Sequence, residues 1–411
     1  MITLRPYQKE ILEKGITVLK KHRFLYLAME VRTGKTLTSL AMSLAVPVHN
    51  LLFITKKKAI SSIQQDYDML DPSYQITIIN YESLHKVSHE TRWDMIVCDE
   101  SHSMGAFPKP SLRAKTVKSL LQMHDPYVIL LSGTPTPESY SQMYHQVYGI
   151  RTNPFRPYVN FYKFAKQYVN VTQKKIGALS INDYSNGLPT ILDMMKPYTI
   201  AYSQKEAGFK VNTDEKVLNV PVSPIVKKLV RQLTKDRVVE GENNIILADT
   251  AVKLMSKLHQ LYSGTVKFEG GQSMVIDLSK AEFIRKEFKN KKIAIFYKFK
   301  EELNALKKVF RKSLCTELEE FNSTNKSIAL QIVSGREGIS LKNAQALVYY
   351  NIDFSATSYW QSRDRMTTKN RLYNKIYWIF SEGGIENDIY RSVIKKKDYT
   401  LNHFKKDLLN L

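Results

Sequence analysis

From about residue 24 to residue 132, short apolar runs alternate with stretches in which apolar residues return every three or four positions. The runs Phe24–Ala28, Leu51–Thr55, Ile76–Asn80, Met95–Cys98 and Tyr127–Ser132 have the length of strands rather than helices. Between the first two, Leu37, Leu40, Ala41 and Leu44 fall at i, i+3, i+4 and i+7 and make one apolar helix face. Near-continuous apolar strands joined by such helices are the pattern of parallel strands with crossover helices. The spacing therefore predicts a doubly wound parallel-sheet α/β domain over residues 1–150. Aromatic and basic residues at helical spacing follow, as in Phe161–Lys166 and Ala251–Leu258, and predict a mostly helical insertion or connector over 151–280. Strand-like runs return at Ile293–Tyr297, Ile328–Val333, Ala346–Tyr350 and Lys375–Phe380, which predicts a second α/β domain over 281–411 with a helical tail. No internal repeat interrupts this order.

Composition narrows the partner. Of 411 residues, 43% are hydrophobic and 24% charged, which excludes collagen, coiled coil and disorder as readings of the whole. The formal net charge of +22 attracts polyanions, so nucleic acid is the expected partner and an anionic membrane surface the second choice. Two cysteines, Cys98 and Cys315, give neither a disulfide framework nor a Cys-rich zinc site, as expected in a reducing compartment. Met1–Glu10 lacks the features of a signal peptide, and no window approaches the roughly 18 apolar residues of a membrane span. A cytosolic protein is expected, or a nuclear one in a eukaryotic host.

Two segments carry candidate chemistry. Ala28–Thr36 follows a predicted strand and opens a predicted helix, the placement at which free backbone N–H groups point at an anion. Gly34-Lys35-Thr36 would then bring a lysine to terminal phosphates and a hydroxyl to Mg²⁺. Met29 stands where the full phosphate-loop pattern has its first glycine. Farther on, the apolar strand Met95–Cys98 ends in Asp99-Glu100, and strand carboxyl ends are where ligands bind in open α/β sheets. Asp99 suits a metal and Glu100 the orientation or deprotonation of water. Gly-Lys-Thr alone also occurs by chance as a surface Lys-Thr pair, and Asp99-Glu100 alone also reads as a solvated strand end; together they meet both requirements of phosphoryl transfer.

The ordered set resembles the helicase-like ATPases of superfamily 2, most of all the SWI/SNF-type DNA-dependent translocases. Leu4–Gln8 resembles the adenine-reading segment, Leu51–Lys56 and Ile79–Leu84 the first DNA-contacting segments, Asp99–His102 the Asp-Glu-x-His box and Leu131–Pro135 the Gly-Thr-Pro segment. Ile293–Tyr297 is similar to the strand that opens the second motor domain, Ser334–Leu341 to the glycine-rich loop facing nucleotide and DNA, and Gln361–Arg365 to the start of the final motif. The matches run in family order over about residues 4–380.

The resemblance implies two RecA-like lobes and an ATP·Mg²⁺-dependent helicase or translocase acting on double-stranded or branched DNA. It implies ATP binding by Arg5, Gln8, Arg32, Thr33, Gly34, Lys35, Thr36 and Gly338, a metal site at Thr36 and Asp99, and catalysis by Lys35, Glu100, Gln361 and Arg365. It further implies coupling through His102, Ser132 and Thr134, and nucleic-acid contact by Lys56, Lys57, Ser83, Lys298 and Ser340. The chain looks like a compact, virus-encoded or microbial member. Alternatives stay open: an RNA-directed helicase, or a hydrolysis-deficient DNA-binding protein on a motor fold. His102 is either a relay or a hydrogen-bonded structural histidine, Arg32 either rests on phosphate or is solvated, and the lysines after Thr55 either touch phosphate or form a solvated loop. Phe and Tyr in 155–170 fit core better than a DNA groove. Thr368 stands where the family has its arginine finger, and a replacement by Lys369 or Arg371 is the favoured expectation.

Overall fold

A computed structural model of the protein describes residues 3–395 apart from 89, 177–178, 211, 242–243, 250, 336–338, 369–370 and 372. The chain divides into two compact units, one built from residues up to Phe209 and the other from Lys210–Lys395.

The first unit opens with α1 (Pro6–His22). Pro6 presets its first turn, and the Gln8 side chain closes it by accepting the backbone N–H of Arg5 at 2.9 Å. There follow β1 (Phe24–Met29), α2 (Lys35–Ser43), β2 (Asn50–Thr55), α3 (Ile60–Leu70), β3 (Gln75–Asn80), β4 (Met95–Cys98), α4 (Leu112–His124) and β5 (Tyr127–Leu131). After α5 (Met143–Val147) and α6 (Phe161–Tyr168) come a hairpin, β6 (Thr172–Ile176) with β7 (Leu179–Asp183), then α7 (Thr190–Met195) and β8 (Thr199–Tyr202). Six strands form one parallel sheet in the order β3-β2-β4-β5-β1-β8. Successive side chains of a strand point to opposite faces. In β1, Phe24, Tyr26 and Ala28 enter one core and Leu25, Leu27 and Met29 the other. That two-sided burial is why the strand reads as an unbroken apolar run. Because β5 lies between β4 and β1, the loops after these three strands emerge side by side at the carboxyl edge.

The second unit begins with β9 (Asn212–Val220). A module of α8 (Pro224–Asp236), the hairpin β10 (Val238–Glu240) and β11 (Ile245–Leu247), α9 (Ala251–Tyr262) and the hairpin β12 (Thr265–Lys267) and β13 (Ser273–Val275) follows. Next come α10 (Ser279–Glu287), β14 (Ile293–Tyr297), α11 (Lys300–Phe310), β15 (Leu314–Cys315), α12 (Leu318–Ser323), β16 (Ser327–Gln331) and α13 (Ile332–Gly335). The unit ends with β17 (Ala346–Tyr349), α14 (Ala356–Arg363), β18 (Tyr373–Ser381) and α15 (Glu386–Lys395). Its sheet is also six-stranded and parallel, in the order β15-β16-β14-β17-β18-β9. Phe296, Tyr349 and Trp378 fill one face and Ile295, Val348 and Ile379 the other. The α/β class with two parallel-sheet units is as expected.

The segment 151–280 is more than a helical connector. It supplies β8 to the first sheet and β9 to the second, and residues 233–266 build a small core of their own from Leu233, Val239, Ile246, Ala248, Leu261 and Val266. Both added strands lie at a sheet edge, where one side is solvated and no apolar run is needed; β9 is a mixture of exposed and half-buried residues up to its buried last residue, Val220. The aromatic stretch is core, with Phe155, Phe161, Phe164 and Tyr168 buried. The run expected to continue as a strand to Val333 instead turns into α13 after Gln331.

Candidate active site

The loop between β1 and α2 is held from below by the first helix. Gly34, at the start of α2, has φ +81°, and a β-carbon there would lie 2.3 Å from Gln8 Nε2, so only glycine fits. Gln8 Nε2 donates to Gly34 O and to Thr38 Oγ1, each at 3.3 Å, and the Tyr7 hydroxyl donates to Thr33 O at 3.0 Å. Thr33 is fully buried and donates its hydroxyl to Glu30 O at 2.7 Å. Arg5 Nη1 donates to the Tyr7 hydroxyl at 3.0 Å. Gln8, expected to read a base, is thus already bonded to the loop that would hold phosphate. Arg32 has φ +65°, the backbone region in which the family pattern has glycine. Met29, in place of the pattern's first glycine, is the last buried residue of β1, so the loop proper starts at Glu30.

The carboxylates of β4 lie beside this loop. Asp99 and Glu100 are buried, as is Lys35. Thr55, at the end of β2, donates to Asp99 Oδ2 at 2.9 Å, while Asp99 Oδ1 is buried with no hydrogen-bond partner. Burial pushes the Asp99 carboxyl up to about 6, and the neighbouring Glu100 charge adds to this against the pull of Lys35 and the Thr55 bond. Two adjacent buried carboxylates with one lysine are short of positive charge. An orphaned carboxylate oxygen in that setting fits a divalent cation. Among the described residues no group of three or more His, Cys, Asp or Glu could hold a metal ion. Mg²⁺ is commonly held by one or two carboxylates together with substrate phosphates, and Asp99 is a carboxylate with an oxygen to offer. Thr36, in the first turn of α2, is half-buried.

The third loop, after β5, joins the same network. His102 Nδ1 lies 3.0 Å from Ser132 Oγ and 3.3 Å from Glu100 Oε2, and Ser132 Oγ accepts the backbone N–H of Thr134 at 3.1 Å. The first unit therefore gathers Gln8, Thr33, Gly34, Lys35, Asp99, Glu100, His102, Ser132 and Thr134 around one carboxyl edge. Lys56, just past β2, is half-buried and Lys57 exposed; Ser83 is half-buried in a short 3₁₀ turn after β3.

In the second unit, Gln361 lies on α14 and Arg365 in the turn after it, both buried. Arg365 Nε donates to Gln361 O at 2.9 Å, and Arg365 O accepts the N–H of Leu341, next to the exposed Ser340. Gly338 and Lys369 lie outside the described residues. Lys298 is held in an ion pair, 2.7 Å from Asp353 Oδ1, with its ammonium 4.5 Å from the Phe354 ring centre. Arg371 donates to Tyr373 O, Lys342 O and Gln345 O, carbonyls near the amino ends of β17 and β18. Its guanidinium is bound at the edge of the sheet opposite the strand carboxyl ends.

Several supporting residues carry no local sequence signal. Thr55 and the Tyr81 hydroxyl, which donates to Asp99 O at 2.7 Å, fix the acid strand from β2 and beyond β3. Glu215 on β9 gathers the Tyr359 hydroxyl, Trp378 Nε1, the Tyr390 hydroxyl and Arg363, and so anchors the helix that bears Gln361. Only the fold brings these partners together.

The family model described as SNF2-related domain matches residues 42–263. That span begins after Lys35 and Thr36 and includes Asp99, Glu100, Ser132 and Thr134. Among solved structures, the Sulfolobus solfataricus SWI2/SNF2 ATPase core in complex with dsDNA is similar at 16% identity and a TM-score of 0.42, over 99% of this chain and 94% of that one. No curated protein matches. Neither similarity bears on a viral source. No helix of the described residues is long and apolar enough to cross a membrane.

Proposed function

The chain belongs to the SNF2-related domain family, an ATPase family, and on that premise we propose that it is a nucleic-acid-stimulated ATPase that moves along double-stranded or branched DNA. The observation that carries this reading is the placing of Lys35 close enough to act on the charge of Asp99, whose second oxygen is buried and unpartnered beside Glu100. In this reading Lys35 and the amides from Thr33 to Thr36 hold the terminal phosphates of ATP. Thr36 and Asp99 would hold Mg²⁺, which when bound neutralises charge on the transferred group. Glu100 orients water and takes its proton, and His102 with Ser132 links that carboxylate to the backbone of Thr134. Gln361 and Arg365 come from the other lobe, so the proposal requires both lobes to act on one nucleotide.

A net charge of +22 favours contact with phosphate backbone, which positions without reading sequence. Binding should be largely sequence-independent and weaken steeply with salt. ATP turnover measured with single-stranded DNA, duplex, forked DNA and RNA tests the reading. Stimulation by duplex or forked DNA is expected. Stimulation by RNA alone would reject DNA as the substrate, and DNA binding without turnover would reject the ATPase.

A further inference from the structure

The parallel sheet of the second lobe has two ends of different character. Lys298, Asp353 and the turn into α13 follow the carboxyl ends of β14, β17 and β16. At the amino end, the α10–β14 connection curls around a basin of about 900 Å³. Arg285, Lys286, Lys289, Lys291 and Lys292 line it, against the single carboxylate of Glu282. Lys286, Lys289 and Lys291 are exposed, and Asn290 at φ +63° turns the chain between the last two.

The basin has a fixed floor. Phe288 and Phe310 are buried in it, and Arg285 Nη1 is held by Phe310 O at 3.1 Å and Ser313 Oγ at 2.9 Å. Lys292 is likewise tied, its Nζ donating to Thr324 O at 2.6 Å. Two cations are therefore built into the wall, and three exposed lysine side chains line the basin. Such a concave surface of one sign focuses its field and suits a polyanion. Within the second unit, Lys298 lies at the other end of the sheet, past the carboxyl end of β14.

We propose that this basin holds the phosphate backbone of a second nucleic-acid segment, such as another arm of a branched duplex. The inference rests on nucleic acid being the partner of the chain, and it adds a second point of contact to that reading. An extended backbone is favoured over a compact anion because the three exposed lysines are spread along the connection instead of converging on one point.

The test is fluorescence anisotropy with a short linear duplex and a four-way junction built from the same sequences, over a salt series. The parent chain is compared with the triple variant Lys286→Glu/Lys289→Glu/Lys291→Glu and with the matching Lys→Arg variant. Reversing three phosphate-facing charges should weaken junction binding at least tenfold and lower the salt slope by about 2–3, at roughly 0.9 per phosphate contact. Linear-duplex binding and duplex-stimulated turnover should stay near the parent values, and the arginine variant should bind like the parent. Unchanged junction binding, or an equal loss on both DNAs, overturns the second segment. Retained junction binding with lost binding of a polyglutamate probe overturns it in favour of an acidic protein. A parent chain that binds neither DNA refutes the proposed function itself, which separates the two failures.

Discussion

Nδ1 of His102 lies 3.0 Å from Ser132 Oγ and 3.3 Å from Glu100 Oε2, so one ring nitrogen serves two loops. Ser132 already accepts the N–H of Thr134, which leaves its own proton to give. If Nδ1 is bare it takes that proton; if Nδ1 carries a proton it donates to Glu100 or Ser132. The tautomer of His102 is therefore linked to the charge on Glu100, and the change is felt in the loop after β5. Ser132→Ala should leave turnover without DNA close to the parent value. It should lower DNA stimulation about tenfold, the worth of one hydrogen bond of roughly 1–1.5 kcal/mol. Turnover assays with and without duplex measure that ratio.

In the proposed reaction Lys35 and Glu100 have separable roles, one on phosphate and one on water. Lys35→Ala should abolish turnover while salt-sensitive DNA binding persists, since the lysine is buried beside the carboxylates. Glu100→Gln keeps shape and burial but removes the base, and general-base catalysis is worth about 10²–10⁴ in rate. The glutamine variant should hold ATP and hydrolyse it that much more slowly. Filter retention of labelled ATP, run beside turnover, separates the two phenotypes.

The acid strand was legible because Met95–Cys98 is buried on both faces and ends at two carboxylates within one short window. Gly34 was legible for a similar reason, since a left-handed helix start needs glycine there and a lysine and threonine follow it. What stayed hidden depends on partners far away in the chain. Glu215 meets Tyr359, Trp378 and Tyr390 across 144 to 175 residues of chain, and nothing in Asn212–Val220 marks it as more than a polar edge strand. Lys298 illustrates the converse: the resemblance implies a nucleic-acid contact there, and nothing in its own segment announces Asp353, which follows the neighbouring strand β17 and lies 2.7 Å from its ammonium. Periodicity reports burial, and it does not report which buried polar groups will meet.

His259 gives the second lobe a dependence on pH. It is fully buried, its Nε2 lies 2.5 Å from Asn351 Oδ1, and Asn351 Nδ2 donates to the buried Glu302 at 2.6 Å. Burial, with Lys298 and Lys280 nearby, holds its imidazole down at about 4 against an ordinary 6.5, so the fold keeps it neutral. The unfolded chain binds a proton that the folded lobe refuses. Stability is complete above pH 6.5 and drains away as pH falls toward 4, by on the order of 3 kcal/mol over the whole window and about 2 kcal/mol by pH 5. Urea unfolding at pH 7.5 and pH 5 should give a smaller difference for His259→Gln than for the parent, by about that amount.

Arg365 and Arg371 divide the question of the missing arginine at position 368. Arg371 was the natural substitute in sequence, three residues after Thr368, but its guanidinium is engaged by three backbone carbonyls at the amino end of the sheet. Releasing it would give up three hydrogen bonds to exposed carbonyls, which water can replace, at roughly 0.5–1.5 kcal/mol each at most. Arg365 is buried on the second unit's final-motif segment, where its Nε donates to Gln361 O at 2.9 Å. The resemblance to the family's final motif makes Arg365 the arginine proposed to meet developing phosphate charge. Arg365→Ala should lower DNA-stimulated kcat by about 10³-fold or more, the scale of an arginine finger elsewhere. Arg371→Ala should leave kcat within a few-fold of the parent, with a modest loss of melting temperature. Paired turnover and thermal-unfolding measurements on the two variants decide it, and a large kcat loss in Arg371→Ala at unchanged stability would return the finger to Arg371.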